Sequence, residues 1–492
     1  MNKTLYRIYT LLCFILAGVM AAEASAQDMS GWSDKTLCRL AKTTPDNIYY
    51  QAESTRRGLS CGGAGTQTNN PSSQNIDRTV SGIDKSNKIQ EFKDSPYELP
   101  DNLDYQPNDA TIAHYYVKND SNRSHANNAY KIQPASTFYK FNRNIERNKD
   151  IELEMNTKTI LSYLYFEDGE IIYDEVAPSE RFNMVFDDKS YFSSHSMGKS
   201  ITSYLIGHAI CEGYIESIDA PINDWPLMSK TLYFGQPIIN LLNMKAGDSN
   251  VVEDMGIRFT KTGRHIHDLD PLIRATQDIN ELKNSKPIKN AKFKYSNLTA
   301  DILFNYIMHR VGSDFEPFIQ NFYQTKVRIQ NPVYLETNRI GGRSWSLINP
   351  SMQERIDQGA GRYGISATRY DYLRIAKLMV DDWQGDTCEG RYLKEIYNRR
   401  VPTNRRISSW NSADLKWGNP TFGHTAKTYA GQFWTDFYGL NDQKIMVMLG
   451  YNGQVIAMDM DNSRIIVINA AKSRHYDTAK LGYIPLKYGR IK

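Results

Sequence analysis

Residues 192–200 read Phe192-Ser193-Ser194-His195-Ser196-Met197-Gly198-Lys199-Ser200, and the chain runs on through Ile201, Tyr204, Leu205 and His208 to Glu212-Gly213. Apolar and aromatic residues recur three and four apart and a glycine closes the run, so the spacing predicts a helix over 196–212. With Ser196 opening that helix, Lys199 lies one turn on along the same face, which sets an amine beside a hydroxyl. A serine hydroxyl is a weak nucleophile at neutral pH and needs a base. A lysine serves when burial and neighbouring positive charge favour its neutral form. The Ser196 N–H, at a helix start, stands where an oxyanion can be received. Ser196 is the one serine of the chain with a lysine three residues later. Taken alone, that spacing fits a surface ion-carrying pair equally well.

Outward from this helix the pattern changes to strands. Thr159 to Phe166 and Glu170 to Val176 alternate and carry β-branched and aromatic residues, with Asp168-Gly169 as a hairpin turn between them. Far downstream, 432–437, 444–449, 454–458 and 464–469 read as strands again. Between the two groups lie helical patterns. One spans Asn297 to Val311, with Leu298, Ile302, Leu303, Tyr306 and Ile307 inward and Gly312 as the stop. Another opens at Thr368-x-x-Asp371 in the manner of a capping box. Strands from both ends of the domain and helices between them predict one antiparallel sheet with a mostly helical insertion.

Tyr295-Ser296-Asn297 opens the 297–311 helix and is the one Tyr-x-Asn among 32 tyrosines. A tyrosine near cations relays a proton, and the Asn297 amide can hold Lys199 or a substrate carbonyl. The plain alternatives are a core aromatic and a helix cap.

The 492 residues, 40% hydrophobic and 23% charged, are enough for two or three domains. Lys+Arg is 59 against Asp+Glu 55, too even for a nucleic-acid platform. Lys3 and Arg7, an apolar stretch from Ile8 to Ala22 and the small residues Ala24-Ser25-Ala26 read as a cleaved signal peptide over 1–26. No apolar run follows that could span a membrane. Export, to the periplasm or beyond a bacterial cell, is therefore expected. In that compartment cysteines pair, and Cys38 with Cys61 is the plausible disulfide. Cys211 reads as a buried thiol on an apolar helix face. Residues 27–134 are expected to form a small polar region: a compact stretch at 27–61, a linker at 62–77 and, at 78–134, irregular structure wrapped on the main domain at 135–492 or partial disorder. Neither CxxC nor HExxH occurs, and His265 with His267 reads as loop, so no metal or other cofactor is expected.

Several segments stand in one order along the chain: 192–200, Glu212-Gly213-Tyr214-Ile215-Glu216-Ser217-Ile218-Asp219-Ala220-Pro221, Ile239-Asn240-Leu241-Leu242-Asn243-Met244-Lys245-Ala246-Gly247, Tyr295-Ser296-Asn297 and Gly364-Ile365-Ser366-Ala367-Thr368. In this order they resemble the serine β-lactamase and penicillin-binding-protein superfamily. The closest likeness is to class C β-lactamase-related hydrolases of the esterase and 6-aminohexanoate-dimer hydrolase branch. The resemblance covers roughly residues 135–475. It implies an α/β sandwich of the β-lactamase type, an antiparallel sheet flanked by helices plus a mostly helical lobe, with the site between them. It makes Ser196 the nucleophile, Lys199 its base and Tyr295 the proton relay. The family's K-T-G element has a literal match at Lys261-Thr262-Gly263, but that precedes Tyr295 and reads as a decoy. The matching position is Gly450-Tyr451-Asn452-Gly453-Gln454, similar to the H-x-G-G-Q form. There Gly453 would admit substrate to the backbone and the Gln454 N–H would be a second oxyanion donor. Tyr451 replaces the lysine that reads the carboxylate of penicillins. That shifts the expected substrate from β-lactams and D,D-peptides to other small amides and esters. A non-catalytic ligand or cell-wall binder on the same fold is the competing reading, and an intact Ser196, Lys199 and Tyr295 argues against it.

Overall fold

The 159–176 pattern forms the hairpin it predicts. Strands β3 (Ile160–Glu167) and β4 (Glu170–Val176) pair antiparallel, and Asp168 and Gly169 turn the chain with φ of 52° and 86°, the left-handed region a tight hairpin demands. The computed structural model describes residues 34, 38, 54–59, 108–116, 129–182, 186–248, 251–254, 258–260, 265–266, 271–278, 282–338, 350–403, 422–471 and 477–490. The segment 1–26, the linker 62–77, Cys61 and Lys261-Thr262-Gly263 lie outside them.

The chain divides into two compact units, Met1–Gly82 and Ile83–Lys492. In the first, a helical turn at 54–56 closes through Gly58 N–H to Thr55 O and Leu59 N–H to Ser54 O. Arg57 pairs with Asp34 at 3.2 Å, and Cys38 is disulfide-bonded.

The second unit reaches back before Pro134. Helix α1 (Asp109–Tyr116) is capped by Asn108, whose Oδ1 accepts from Thr111 N–H at 2.8 Å. Its Tyr116 ring lies 4.7 Å from Phe186 and 5.5 Å from Phe192. Strand β1 (Ala129–Ile132) pairs with β9 (Val333–Thr337). The polar composition of 78–134 concealed both elements, because each docks on other segments through only a few apolar side chains.

The main sheet has nine strands in the order β11-β12-β13-β14-β15-β16-β3-β4-β2. The further strands are β2 (Asn142–Arg143), β11 (Val401–Pro402), β12 (Ala426–Ala430), β13 (Phe433–Phe437), β14 (Ile445–Gly450), β15 (Gln454–Asp459) and β16 (Arg464–Ala470). All pairs are antiparallel except β2 with β4. The two ends of the domain meet at β16 and β3, where Ile465, Ile466, Val467 and Ile468 face Phe166, Tyr165, Leu164 and Tyr163. Every residue of β3 is buried, so the sheet is covered on both faces. Tyr163 and Tyr165, two apart and hence on one face, donate to the carbonyls of Leu481 and Pro485 in the C-terminal helical segment.

The insertion is mostly helical, as expected. Helix α2 (Lys149–Thr157) lies just before β3; the insertion's longer helices are α3 (Met197–Cys211), α4 (Asn297–Val311), α5 (Arg369–Gly385) and α6 (Cys388–Asn398). A second sheet, β1-β9-β10-β5, uses β10 (Gly361–Thr368) and β5 (Tyr191–Ser193). A small third sheet joins β6 (Val252–Asp254), β7 (Arg258–Thr260) and β8 (His265–Ile266). Helix α3 packs on α4, α6, β10, β14 and β15. Residues 197–209 are all buried, so this helix is enclosed all round rather than along the single stripe the periodicity suggested.

Two expectations are corrected. Cys211 is not a free thiol: it is disulfide-bonded to Cys388, 177 residues away, with Cα atoms 5.8 Å apart, because α6, which packs on its sequence neighbour α5, also packs on α3. Thr368 and Asp371 form no capping box. The Thr368 hydroxyl instead donates to Asp371 Oδ2 at 2.7 Å, and that carboxylate also receives Gln330 and Asn331 N–H, a long-range use that outweighs the local cap.

Candidate active site

Strand β5 delivers the chain to a sharp turn. Ser194 N–H donates to Ile365 O at 2.7 Å and its Oγ receives Ile365 N–H at 2.9 Å, so β10 grips the strand to its last residue. His195 then takes φ 45°, and the first helical turn closes through Met197, Gly198 and Lys199 N–H to Ser194, His195 and Ser196 O. Ser196 stands at the N-cap, yet its hydroxyl caps nothing. It receives instead a hydrogen bond from Lys199 Nζ at 2.9 Å. The Ser196 N–H has no partner among the described residues, as a helix start leaves it.

Lys199 is fully buried. Its Nζ also donates to Asn297 Oδ1 at 2.6 Å, across 98 residues. It lies 5.1 Å from the Tyr295 ring centroid and 3.8 Å from that of Tyr363. Ring faces attract a cation. The Tyr363 hydroxyl donates to the same Asn297 oxygen at 3.1 Å. Tyr363 was not marked by the sequence; it is one of 32 tyrosines, and no spacing sets it apart. Gly198 allows this meeting: a Cβ there would stand 2.1 Å from Tyr363 O.

The start of α4 is fixed from below. Ser296 caps it, its Oγ receiving Thr299 N–H at 3.2 Å, so the cap is Ser296 rather than Asn297. Asp248, almost fully buried, accepts from Ser296, from Thr299 Oγ1 at 2.8 Å and from Tyr233 at 3.1 Å. The 239–247 segment holds the opposite wall. Asn243 Oδ1 receives Gly431 N–H at 2.8 Å, and the Gln432 amide donates to Leu241 O and Leu242 O. Ser200 Oγ donates to Gln432 O at 2.6 Å. This docks the β12–β13 turn, and with it Trp434, which stacks on Tyr295 at 5.8 Å and 15°. Tyr429 meets Trp434 edge-on at 5.0 Å. One side of the site is therefore an aromatic wall.

The β14–β15 turn forms the remaining rim. Gly450 abuts the serine turn, where a Cβ would stand 2.4 Å from Ser194 O. Gly450 pairs with Gln454, and Asn452 and Gly453 turn at φ 63° and 88°. Tyr451 is 48% exposed at the mouth, its ring 5.8 Å from His195. Gln454 is buried, its Nε2 donating to Ala470 O at 2.7 Å and its Oε1 accepting from Asn469 Nδ2 at 2.9 Å. What it can offer a substrate is its backbone. Arg362 lies 4.0 Å from Glu336, and Lys427 donates to Asn441. Among the described residues no cluster of His, Cys, Asp or Glu could hold a metal, and no helix is long and apolar enough to cross a membrane.

Fold and site together define an α/β sandwich with a serine–lysine pair at the head of a buried helix. No family model matches the sequence, and no curated protein matches it. Solved structures similar to it include a protein described as a 6-aminohexanoate-dimer hydrolase from Bacillus anthracis, at 14% identity over 74% of this chain and 92% of that one, with a TM-score of 0.48. A protein described as a beta-lactamase from Bacteroides dorei is 14% identical over 68% and 93%, TM-score 0.45. A beta-lactamase/D-alanine carboxypeptidase from Pseudomonas syringae is 15% identical over 69% and 97%, TM-score 0.42.

Proposed function

We propose that the protein is an exported serine hydrolase that cleaves a small amide or ester through an acyl-enzyme on Ser196. The observation that carries this is the 2.9 Å bond between the Ser196 hydroxyl and the amine of fully buried Lys199. In this reading neutral Lys199 takes the hydroxyl proton as Ser196 Oγ attacks the carbonyl. The oxyanion is received by the Ser196 N–H and by the backbone at Gly453-Gln454. Collapse of the adduct breaks the bond to the leaving amine or alcohol, which leaves with the proton carried by Lys199 and Tyr295. Water then attacks the acyl ester, its proton passing to Lys199, and releases the acid and Ser196. Asn297 holds the amine in line. No cofactor is needed.

Tyr451 at the mouth favours substrates without a carboxylate beside the scissile bond. The aromatic wall of Tyr295, Trp434 and Tyr429 favours an apolar acyl or leaving group. Export is supported by the charged and apolar N-terminal segment and by the disulfides at Cys38 and at Cys211–Cys388, which persist in oxidising compartments. The test is mass spectrometry after incubation with a fluorophosphonate. An adduct on Ser196 is expected; an unlabelled, folded protein would refute the hydrolase reading.

A further inference from the structure

Asn297, Asp301 and Asn305 lie at i, i+4 and i+8, one stripe along α4. Asn305 clamps the start of β10, its Nδ2 donating to Gly361 O at 2.7 Å and its Oδ1 receiving Gly361 N–H at 2.8 Å. Asp301 Oδ1 receives Tyr363 N–H at 3.4 Å. Between Gly361 and Ile365 the pairing of β10 with β9 shifts register. An irregularity of this kind re-aims a side chain, and here the side chain is Tyr363. On the other flank the missing Cβ of Gly198 lets the Tyr363 backbone press against the first turn of α3. Both helices of the site therefore fix one residue of a bulged strand.

We infer that Tyr363 is a positioning residue for the Ser196–Lys199 pair. Its ring face, 3.8 Å from Lys199 Nζ, stabilises the positive charge that develops there as the amine takes the Ser196 proton, and its hydroxyl orients the Asn297 amide so that the oxygen meets that amine. Asn297 Oδ1 accepts from both groups, so the amide is tied on one side and cannot rotate its nitrogen toward the lysine without losing both bonds. The inference rests on the hydrolase reading of Ser196.

The experiment compares wild-type with Tyr363→Phe, with Tyr363→Met and with pentafluorophenylalanine placed at 363, after thermal melts have verified folding. The fluorinated ring keeps the shape of phenylalanine and reverses the charge of its face, so it serves even where the Met variant does not fold. Kinetics on p-nitrophenyl acetate and the rate of fluorophosphonate labelling of Ser196 are read together. Tyr363→Phe, which keeps the face and loses one neutral hydrogen bond, is expected to lower kcat by roughly fivefold. Tyr363→Met and the fluorinated ring are expected to lower kcat by roughly tenfold to thirtyfold beyond Phe, with KM within about twofold of wild-type. Equal loss in Phe and the fluorinated variant would overturn the role of the ring face. A raised KM with kcat kept would make Tyr363 a substrate contact and overturn the positioning role. Failure of wild-type to label at all would refute the hydrolase reading instead, and is distinguishable by that control.

Discussion

Helix α3 carries two buried positive-capable side chains, and its ends treat them differently. At the head, Lys199 is given a hydroxyl, an amide oxygen and two ring faces. At the tail, His208, itself buried, lies 3.1 Å from the Glu389 carboxylate, and one residue before Glu389 the Cys388 disulfide ties α6 to Cys211. Between them Ser203 meets the Tyr392 hydroxyl at 2.8 Å and Tyr204 bonds Asp382. A charge partner and a covalent link hold an element still. A carboxylate neighbour strongly favours the charged form of an amine, whereas ring faces favour it only weakly. The tail anchors the helix; in the proposed reading the head carries the reaction.

The sharpest break of this contrast is at the head. Ser196→Ala should abolish ester hydrolysis, a loss of roughly 10⁴-fold or more, while the melting curve moves little. Lys199→Ala should do the same, and Lys199→Arg should not rescue it, because a guanidinium keeps its proton. A Lys199→Arg enzyme near the wild-type rate would reduce Lys199 to a fixed charge.

At the tail the effects should fall on stability. Replacing both Cys211 and Cys388 by Ser opens a link across 177 residues, worth about 5 kcal/mol in the chain-entropy model. Denaturant titration with and without reductant checks it; unchanged midpoints would show that packing alone anchors α3.

Glu389 should be the next largest. The His208 imidazole 3.1 Å away, set against burial, lowers its carboxyl from 4.5 to about 2. A depressed carboxyl stabilises the fold above about pH 4.5, and that contribution drains away as the pH falls towards 2. Glu389→Gln should cost about 2–3 kcal/mol at pH 7 and little near pH 2, measured by melts across pH. A penalty that does not shrink on acidification would mean shape, not charge, matters there.

The smallest expected effect returns to the rim of the head. Tyr451→Lys should raise penicillin affinity by roughly one to two decades, the difference between a charge-assisted and a neutral hydrogen bond. Nitrocefin and benzylpenicillin binding read it out. Unmoved affinity would show that Tyr451 does not hold the carboxylate-reading position.

The sequence by itself determined what is local. The Ser196–Lys199 spacing needs only one helical turn, Gly213 and Gly312 stop their helices at φ 83° and 60°, and Asp168-Gly169 makes its hairpin from its own backbone preferences. The strands at 160–176 and 433–470 are legible because they are short runs of β-branched and aromatic residues bounded by turn residues. Tertiary structure decided what lies between distant segments. Tyr363 reaches Lys199 from a stretch of β10 whose register shifts and which the α4 stripe clamps, and no window of sequence contains both. The Cys211–Cys388 bond depends on how α6 lies on α3, and Asp371 was diverted from its cap by backbone N–H groups forty residues away. Hydrogen bonds within a few residues follow from the chain's own geometry. Those that join the ends of long loops exist only once the core has brought the elements together.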